Sequence, residues 1–441
     1  MGDKIVRTGL VVGVVVLALL LLLATCGGKK DGSGDDSGDG SPPKKPAATG
    51  RGPATRLDVP AAYDSGKGWE LSGVSEEYAL APHARVLTYL QRADGGRFRL
   101  RAVDVRTGKQ AWAGEAWRPL SAAPGTVPRL AAVAKDGREY FATWSYGKLG
   151  GDPLSEADRV LVVDLYEAVG GARQRVELPW EAAPSVSASG PGLVVGVGSG
   201  TAAVLDPETA RTATYKAGDL KYPKGCAGCR RLTEVVGVTS KGPLVNGEGE
   251  FWVRGAWHGR KAAPKGGVSG TAVSVSGDRV LARWDHKPAK NKPVDREIWA
   301  VHDGASGKVL ASAECPRPAL RPGRYPAAVT SPDGRYLVAG QLAFDLEGKS
   351  GHCFAAGSGA KPVTLATVGD SGVAYGASGA RSPEDALRGG GTPVSVRIAV
   401  PEPQALPGSA RLPVHDLGEV GIFRWTDGRD VHHLVGYAAK N

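Results

Sequence analysis

The chain has 441 residues, a formal net charge of +10, 41% hydrophobic residues, 64 Gly and 31 Pro. This composition excludes a wholly disordered chain: it is long and apolar enough to bury a substantial core, and its Gly and Pro content calls for many turns. Six Phe against ten Trp leave Val, Leu and Ala to fill that core, with Trp kept for special places.

Residues 1–26 read as a membrane-targeting segment. Lys4 and Arg7 precede an uninterrupted apolar run from Gly9 to Thr25. As a helix the run spans about 25 Å, slightly short of a ~30 Å hydrocarbon core. It is long for the apolar stretch of roughly 7–15 residues in a secretory signal. Leu23-Ala24-Thr25-Cys26 resembles a lipobox, which makes Cys26 a lipidation candidate. The other reading is an uncleaved transmembrane anchor in which Cys26 is incidental. Both put the rest of the chain at the cell membrane, on its extracytoplasmic side. Residues 27–60 are Gly, Ser, Asp, Pro and Lys with almost nothing to bury, and read as a disordered tether. Asp35 to Gly40 has acidic spacing like a Ca²⁺ loop, but Pro46 stands where such a loop wants an acid, so the stretch reads as tether.

From residue 61 to 441 the chain reads as one repeat array. RAVDVRTGKQAW at 101–112 is a hairpin: a mostly alternating strand, a Thr107-Gly108 turn, then a return strand from Lys109 to Ala116 carrying Trp112. A lone hairpin is only marginally stable, so it belongs to a sheet. The same order recurs around Asp164, Asp206, Asp303 and Asp345. Upstream of each lies a second kind of hairpin, as in AAVAKDGREYFATW at 131–144 and AAVTSPDGRYLVAG at 327–340. The unit is therefore four strands. Its first turn recurs near Ala84, Gly137, Gly192, Gly242, Gly277, Gly334, Gly372 and Gly418, at intervals of about 48 residues, the period of a β-propeller blade. The expected fold is all-β, an eight-bladed propeller, with seven blades as the alternative. The last repeat offers three strands, and Lys67–Gly73 supplies a fourth from the other end of the array. That closure would leave no open sheet edge.

The phrase V-x-D-x-x-T-G-K-x-x-W in 103–112 resembles the outer hairpin of PQQ-like repeat propellers. That resemblance implies eight blades and a group that includes both quinoprotein dehydrogenases and non-enzymatic envelope lipoproteins. In its richness in Ala, Gly, Arg and Val the whole chain is similar to membrane-anchored propeller proteins of high-GC Gram-positive bacteria.

Besides Cys26 there are four cysteines, an even number in a chain read as exported, which argues for disulfides. Cys226 and Cys229 sit in one loop and read as a loop-pinning pair. Cys315 and Cys353 lie in the outer strands of neighbouring blades and read as a bridge between them, with Cys353 at the start of its strand.

No catalytic set, metal site or cofactor site emerges. GDSG at 369–372 matches the phrase around a protease nucleophile but aligns with the first-hairpin turns, so it reads as a turn. Gly196–Gly200 joins two strands and offers no helix N-terminus for phosphate. His432 and His433 are adjacent in a strand, so their rings point to opposite faces.

The long insertions, 146–158, 215–231, 285–297, 316–326 and 378–391, all fall in loops that share one face of a propeller. Elaborated loops on a rigid scaffold are where binding resides. Several are basic: Lys221, Lys224, Arg230 and Arg231; Lys287, Lys290 and Lys292; Arg317, Arg321 and Arg324. The expected function is a non-catalytic binding or scaffold module of the cell envelope, monomeric and without nucleic acid. Its partner would be an envelope protein or an anionic wall or lipid component. The rival is a quinoprotein dehydrogenase-like or lyase-like enzyme with its site at the central channel.

Overall fold

Leu87, Leu100, Ala102 and Val105 of the first repeat are fully buried, because the alternation of charged and apolar residues in its strands leaves one row of side chains to pack against each neighbour. A computed structural model describes residues 52–440 apart from 121–126, 152–153, 155, 197–199, 221–232, 289–294, 319–323 and 358. Among the described residues the strands group into eight sheets. Blade 1 runs from Tyr78 to Ala113, blade 2 from Arg129 to Pro179, blade 3 from Ser185 to Lys216 and blade 4 from Glu234 to Val253. Blade 5 runs from Gly267 to Pro316, blade 6 from Val329 to Cys353 and blade 7 from Val363 to Ala405. Blade 8 combines Tyr63–Ser72 with the strands between His415 and Ala439. Blades 1 to 7 are antiparallel meanders in chain order, and blade 8 adds the N-terminal strand beside its last one.

The ring closes as expected. Tyr63–Ser72 pairs antiparallel with His432–Ala439, with Trp69 opposite Gly436 and Ser72 opposite His433. The N-terminal strand is thus the fourth, outermost strand of the last blade, and it covers the edge that His432–Ala439 would otherwise expose. Eight apolar clusters fill the structure, each shared by two neighbouring blades. The cluster of Trp69, Leu71, Ile422 and Leu434 with Leu87, Tyr89, Val103 and Val105 joins blade 8 to blade 1. Folding into this body starts before residue 61. Thr55 donates its N–H and its hydroxyl to Glu70, both at 2.8 Å, Leu57 N–H donates to the Tyr437 hydroxyl at 2.9 Å, and Leu57 and Val59 pack into the cluster between blades 7 and 8.

Four details differ from the sequence reading. Blade 4 shows three strands; beyond Val253 the chain makes only a bridge from Trp252 to His258 and then one helical turn, Gly259–Ala262. In blade 2 the residue at the second turn is Glu167, which accepts the Gly171 N–H as Asp104 accepts that of Gly108. Asp164 instead lies buried in the strand, bonded to Arg173 at 2.8 Å. The strand opposite Arg101 is only Gln110–Ala113, and Cys353 ends its strand rather than beginning it.

The conserved grammar of the second hairpin has a mechanical basis within this chain. Asp104 Oδ1 accepts the N–H groups of Arg106 and Thr107 and the Thr107 hydroxyl, at 2.9–3.0 Å. Asp303 does the same for Ser306. Each is a side chain folding the backbone back on itself. The glycine that follows has φ near +65° to +75° and lies under an indole: Gly108 under Trp69, Gly171 under Trp112, Gly307 under Trp257. Each indole N–H donates to a carbonyl of the same turn, Trp69 to Val105, Trp112 to Ala168 and Trp257 to Gly304, at 2.6–2.9 Å. A Trp on the outer side of one blade thereby locks the turn of the next.

Candidate functional site

First strands of blades 1 to 7 line a cavity of about 1530 Å³. Its wall is small and apolar or hydroxylic, with Val133, Ser187, Val236 and Ser274 facing it. The tight first turns rim one end. At the other, the connection between blades 5 and 6 contributes Arg317, Arg324 and Tyr325, and the insertion of blade 7 contributes Arg381.

Most carboxylates at the tight-turn end are committed to the ring. Glu139 of blade 2 accepts the N–H of His83 and of Ala84, the latter at 2.7 Å, in the first turn of blade 1. Asp278 of blade 5 accepts the N–H and hydroxyl of Ser240 in blade 4, at 2.9 and 2.7 Å. Asp370 of blade 7 accepts the N–H of Asp333 in blade 6 at 2.8 Å. Each acid satisfies a turn of the preceding blade, which leaves little of its lone-pair capacity for a ligand. Farther out, Lys135 of blade 2 meets Asp206 of blade 3 at 2.7 Å. Burial raises the Asp206 carboxyl, but Lys135 and the N–H groups of Glu208 and Thr209 outweigh it and hold that carboxyl below its usual range.

The five expected insertions all lie where a second strand passes to a third or one blade passes to the next. Of the ten basic candidates, Lys287, Arg317 and Arg324 are described. Lys287 is exposed. Arg317 reaches Asp285 at 3.8 Å and Arg324 reaches Glu234 at 4.0 Å. Lys221, Lys224, Arg230, Arg231, Lys290, Lys292 and Arg321 lie outside the described residues, as do Cys26, Cys226 and Cys229. Cys315 and Cys353 form a disulfide between blades 5 and 6, with Cα atoms 5.6 Å apart. GDSG is the first turn of blade 7, closed by the Gly372 N–H on the Gly369 carbonyl. His433 Nδ1 lies 2.7 Å from Glu70, whereas His432 Nε2 faces Glu76 at 3.5 Å. Among the described residues no three His, Cys, Asp or Glu side chains group to hold a metal ion.

The sequence reading missed Arg381, Tyr325 and Glu297. Arg381 sits just before a short helix, Pro383–Leu387, capped by Ser382, and looks like any surface charge. Tyr325 lies in an irregular connection, yet its ring is 4.2 Å from that of Trp299. Burial raises its hydroxyl pKa. Glu297 is the second residue of an apolar strand and carries no mark of being only 4% exposed.

No protein-family profile matches the chain, and no curated relative does. Solved structures do, as propellers. The propeller domain of Myceliophteria thermophila Cps50 (Swd1) is 11% identical over 83% of this chain and 97% of its own, with a TM-score of 0.38. Dihydro-heme d1 dehydrogenase NirN in complex with DHE is 16% identical over 76% of this chain and 66% of its own, at 0.37. The propeller domain of the Trilobed protease from Pyrococcus furiosus, described as having an open velcro topology, is 12% identical over 83% and 95%, at 0.37.

Proposed function

We propose that this protein is a membrane-tethered, extracytoplasmic, non-catalytic binding module that takes a phosphate-bearing anionic component of the cell envelope at the insertion-bearing mouth of its ring. One observation carries the reading: Arg317, Arg324 and Arg381 come from two separate loops and rim the same cavity. The side chains of Arg324 and Arg381 are 91% and 89% exposed, and among the described residues each is held only by a surface ion pair, to Glu234 at 4.0 Å and to Asp385 at 3.3 Å, so they reach ligand without losing buried partners. Lys221, Lys224, Arg230 and Arg231 add charge from a third insertion. The apolar run from Gly9 to Thr25 and the similarity to membrane-anchored propeller proteins support the address.

The test uses the full chain in nanodiscs, with long-chain polyphosphate and phosphatidylglycerol vesicles as separate probes. Polyphosphate binding alone points to a wall polymer, vesicle binding alone to a head group. Changing Arg317, Arg324 and Arg381 to Ser, or Lys221, Lys224, Arg230 and Arg231 to Ser, weakens binding, and binding falls as salt rises, because exposed charges are screened over about 8 Å at physiological ionic strength. Lys109 and Lys241, on the opposite face, are the controls. Equal loss from both faces overturns the site, and failure of a membrane-impermeant amine reagent to label the chain on intact cells overturns the address.

A further inference from the structure

Glu297 is the second residue of the third strand of blade 5, Arg296–Asp303, at the insertion-bearing end. It lines the cavity, yet its side chain is only 4% exposed. One carboxylate oxygen, Oε1, accepts the indole N–H of Trp299 at 2.9 Å. The other, Oε2, is buried and has no hydrogen-bond partner among the described residues. A buried acceptor with no donor is costly, and a charged one more so. Arg317 pairs with Asp285 and Arg296 with Glu314; Arg283, opposite Trp299 in the sheet and on the same cavity wall, makes no hydrogen bond to Oε2.

The surroundings of Glu297 are fixed. Cys315 lies opposite it in the sheet register, and the disulfide to Cys353 ties that point to blade 6. The Tyr325 hydroxyl donates to the Ala339 carbonyl at 3.2 Å and accepts the Gln341 N–H at 3.1 Å, so its ring stands as a wall against Trp299. Trp299, Tyr325 and Gln341 also line the cavity. An unpaired carboxylate oxygen beside two aromatic rings favours one kind of guest. The carboxylate wants N–H donors, the rings' faces attract positive charge, and a group that has both is an ammonium or guanidinium.

We infer that this niche between blades 5 and 6 is a subsite for an organic cation bearing N–H donors, with Glu297 as its anchor. The inference deepens the binding reading above: the arginine rim would take the anionic part of a ligand, and Glu297 an amine that the ligand carries.

The experiment is calorimetric titration of the full chain in nanodiscs with cadaverine and with arginine methyl ester, following the Trp299 indole N–H by NMR, its signal assigned through Trp299→Phe. Both probes bind and shift that signal. Glu297→Gln retains an acceptor for Trp299 and loses the charge, so affinity drops by at least about tenfold, the effect of one charge-assisted hydrogen bond. Glu314→Gln, exposed and outside the cavity, binds as the parent does. If Glu297→Gln fails to fold, the indole shift in the unaltered chain still decides. No shift on adding either probe, or equal affinity in Glu297→Gln, overturns the subsite and leaves Oε2 to a water molecule. Polyphosphate binding that persists in Glu297→Gln separates the two ideas: the rim stands whether or not the cation subsite does.

Discussion

Trp112 donates its indole N–H to the carbonyl oxygen of Ala168, 2.9 Å away and 56 residues along the chain. The same ring stacks on Tyr166 and sits over Gly171, where a Cβ would lie 2.7 Å from the indole. Gly108, four residues before Trp112, receives Trp69 in the same way. One short hairpin thus gives a Trp to the blade ahead and takes one from the blade behind.

This lock separates two costs that glycines at positive φ share. Gly108→Ala meets both an unfavourable φ and the Trp69 ring at 2.6 Å. Gly137→Ala has φ +78° but open space around it. The expected loss is about 1 kcal/mol at Gly137 and at least about twice that at Gly108, where the indole must move. Urea unfolding of the two variants measures the difference; equal losses would mean that the indole contact contributes nothing.

Cys315 and Cys353 close a loop of 38 residues. Replacing both with Ser lowers stability by about 3–4 kcal/mol on the chain-entropy account. Denaturation with and without reductant checks it: reductant lowers the midpoint of the parent by clearly more than that of the double Ser variant.

His302 is fully buried between Trp257, Phe251 and Trp284, with Nδ1 facing the Gly307 carbonyl and Nε2 accepting the Trp284 indole N–H. Burial pushes its pKa down to about 4, against 6.5 for the free side chain. Between those values the unfolded chain binds a proton that the folded chain refuses, so stability falls as pH drops from 6.5 towards 4, by on the order of 3 kcal/mol in all. Unfolding midpoints at pH 7 and pH 5 test the sign. In His302→Gln, which cannot titrate, the pH dependence shrinks; an unchanged slope would assign it to other groups.

Removing residues 1–54 keeps the closing strand and the contacts of Thr55 with Glu70 and of Leu57 with Tyr437, and takes away the buried Pro53. Removing residues 1–72 takes away Tyr63–Ser72 and bares the edge of His432–Ala439. The longer truncation is expected to self-associate, because an unpaired strand edge recruits other strands, while the shorter one stays monodisperse by analytical ultracentrifugation.

The repeat, the eight blades and the closing strand were legible because they depend on local rules: period-2 alternation, and turns that need Gly or Asp at a fixed place. Both turn types can be read within about fifteen residues of sequence. Blade 4 departs from the rule because the chain beyond Val253 turns at Gly255 and then forms Gly259–Ala262 in place of a fourth strand, which no local pattern announces. The docking of Trp69, Trp112 and Trp257 on the next blade's glycine, and the isolation of Glu297 Oε2, were decided only in three dimensions. A strand residue's burial depends on which blade packs against it, and whether a carboxylate finds a donor depends on side chains tens of residues away. The sequence determines that Glu297 is a carboxylate; only the packing of blade 5 against blade 6 leaves one of its oxygens without a partner on the cavity wall.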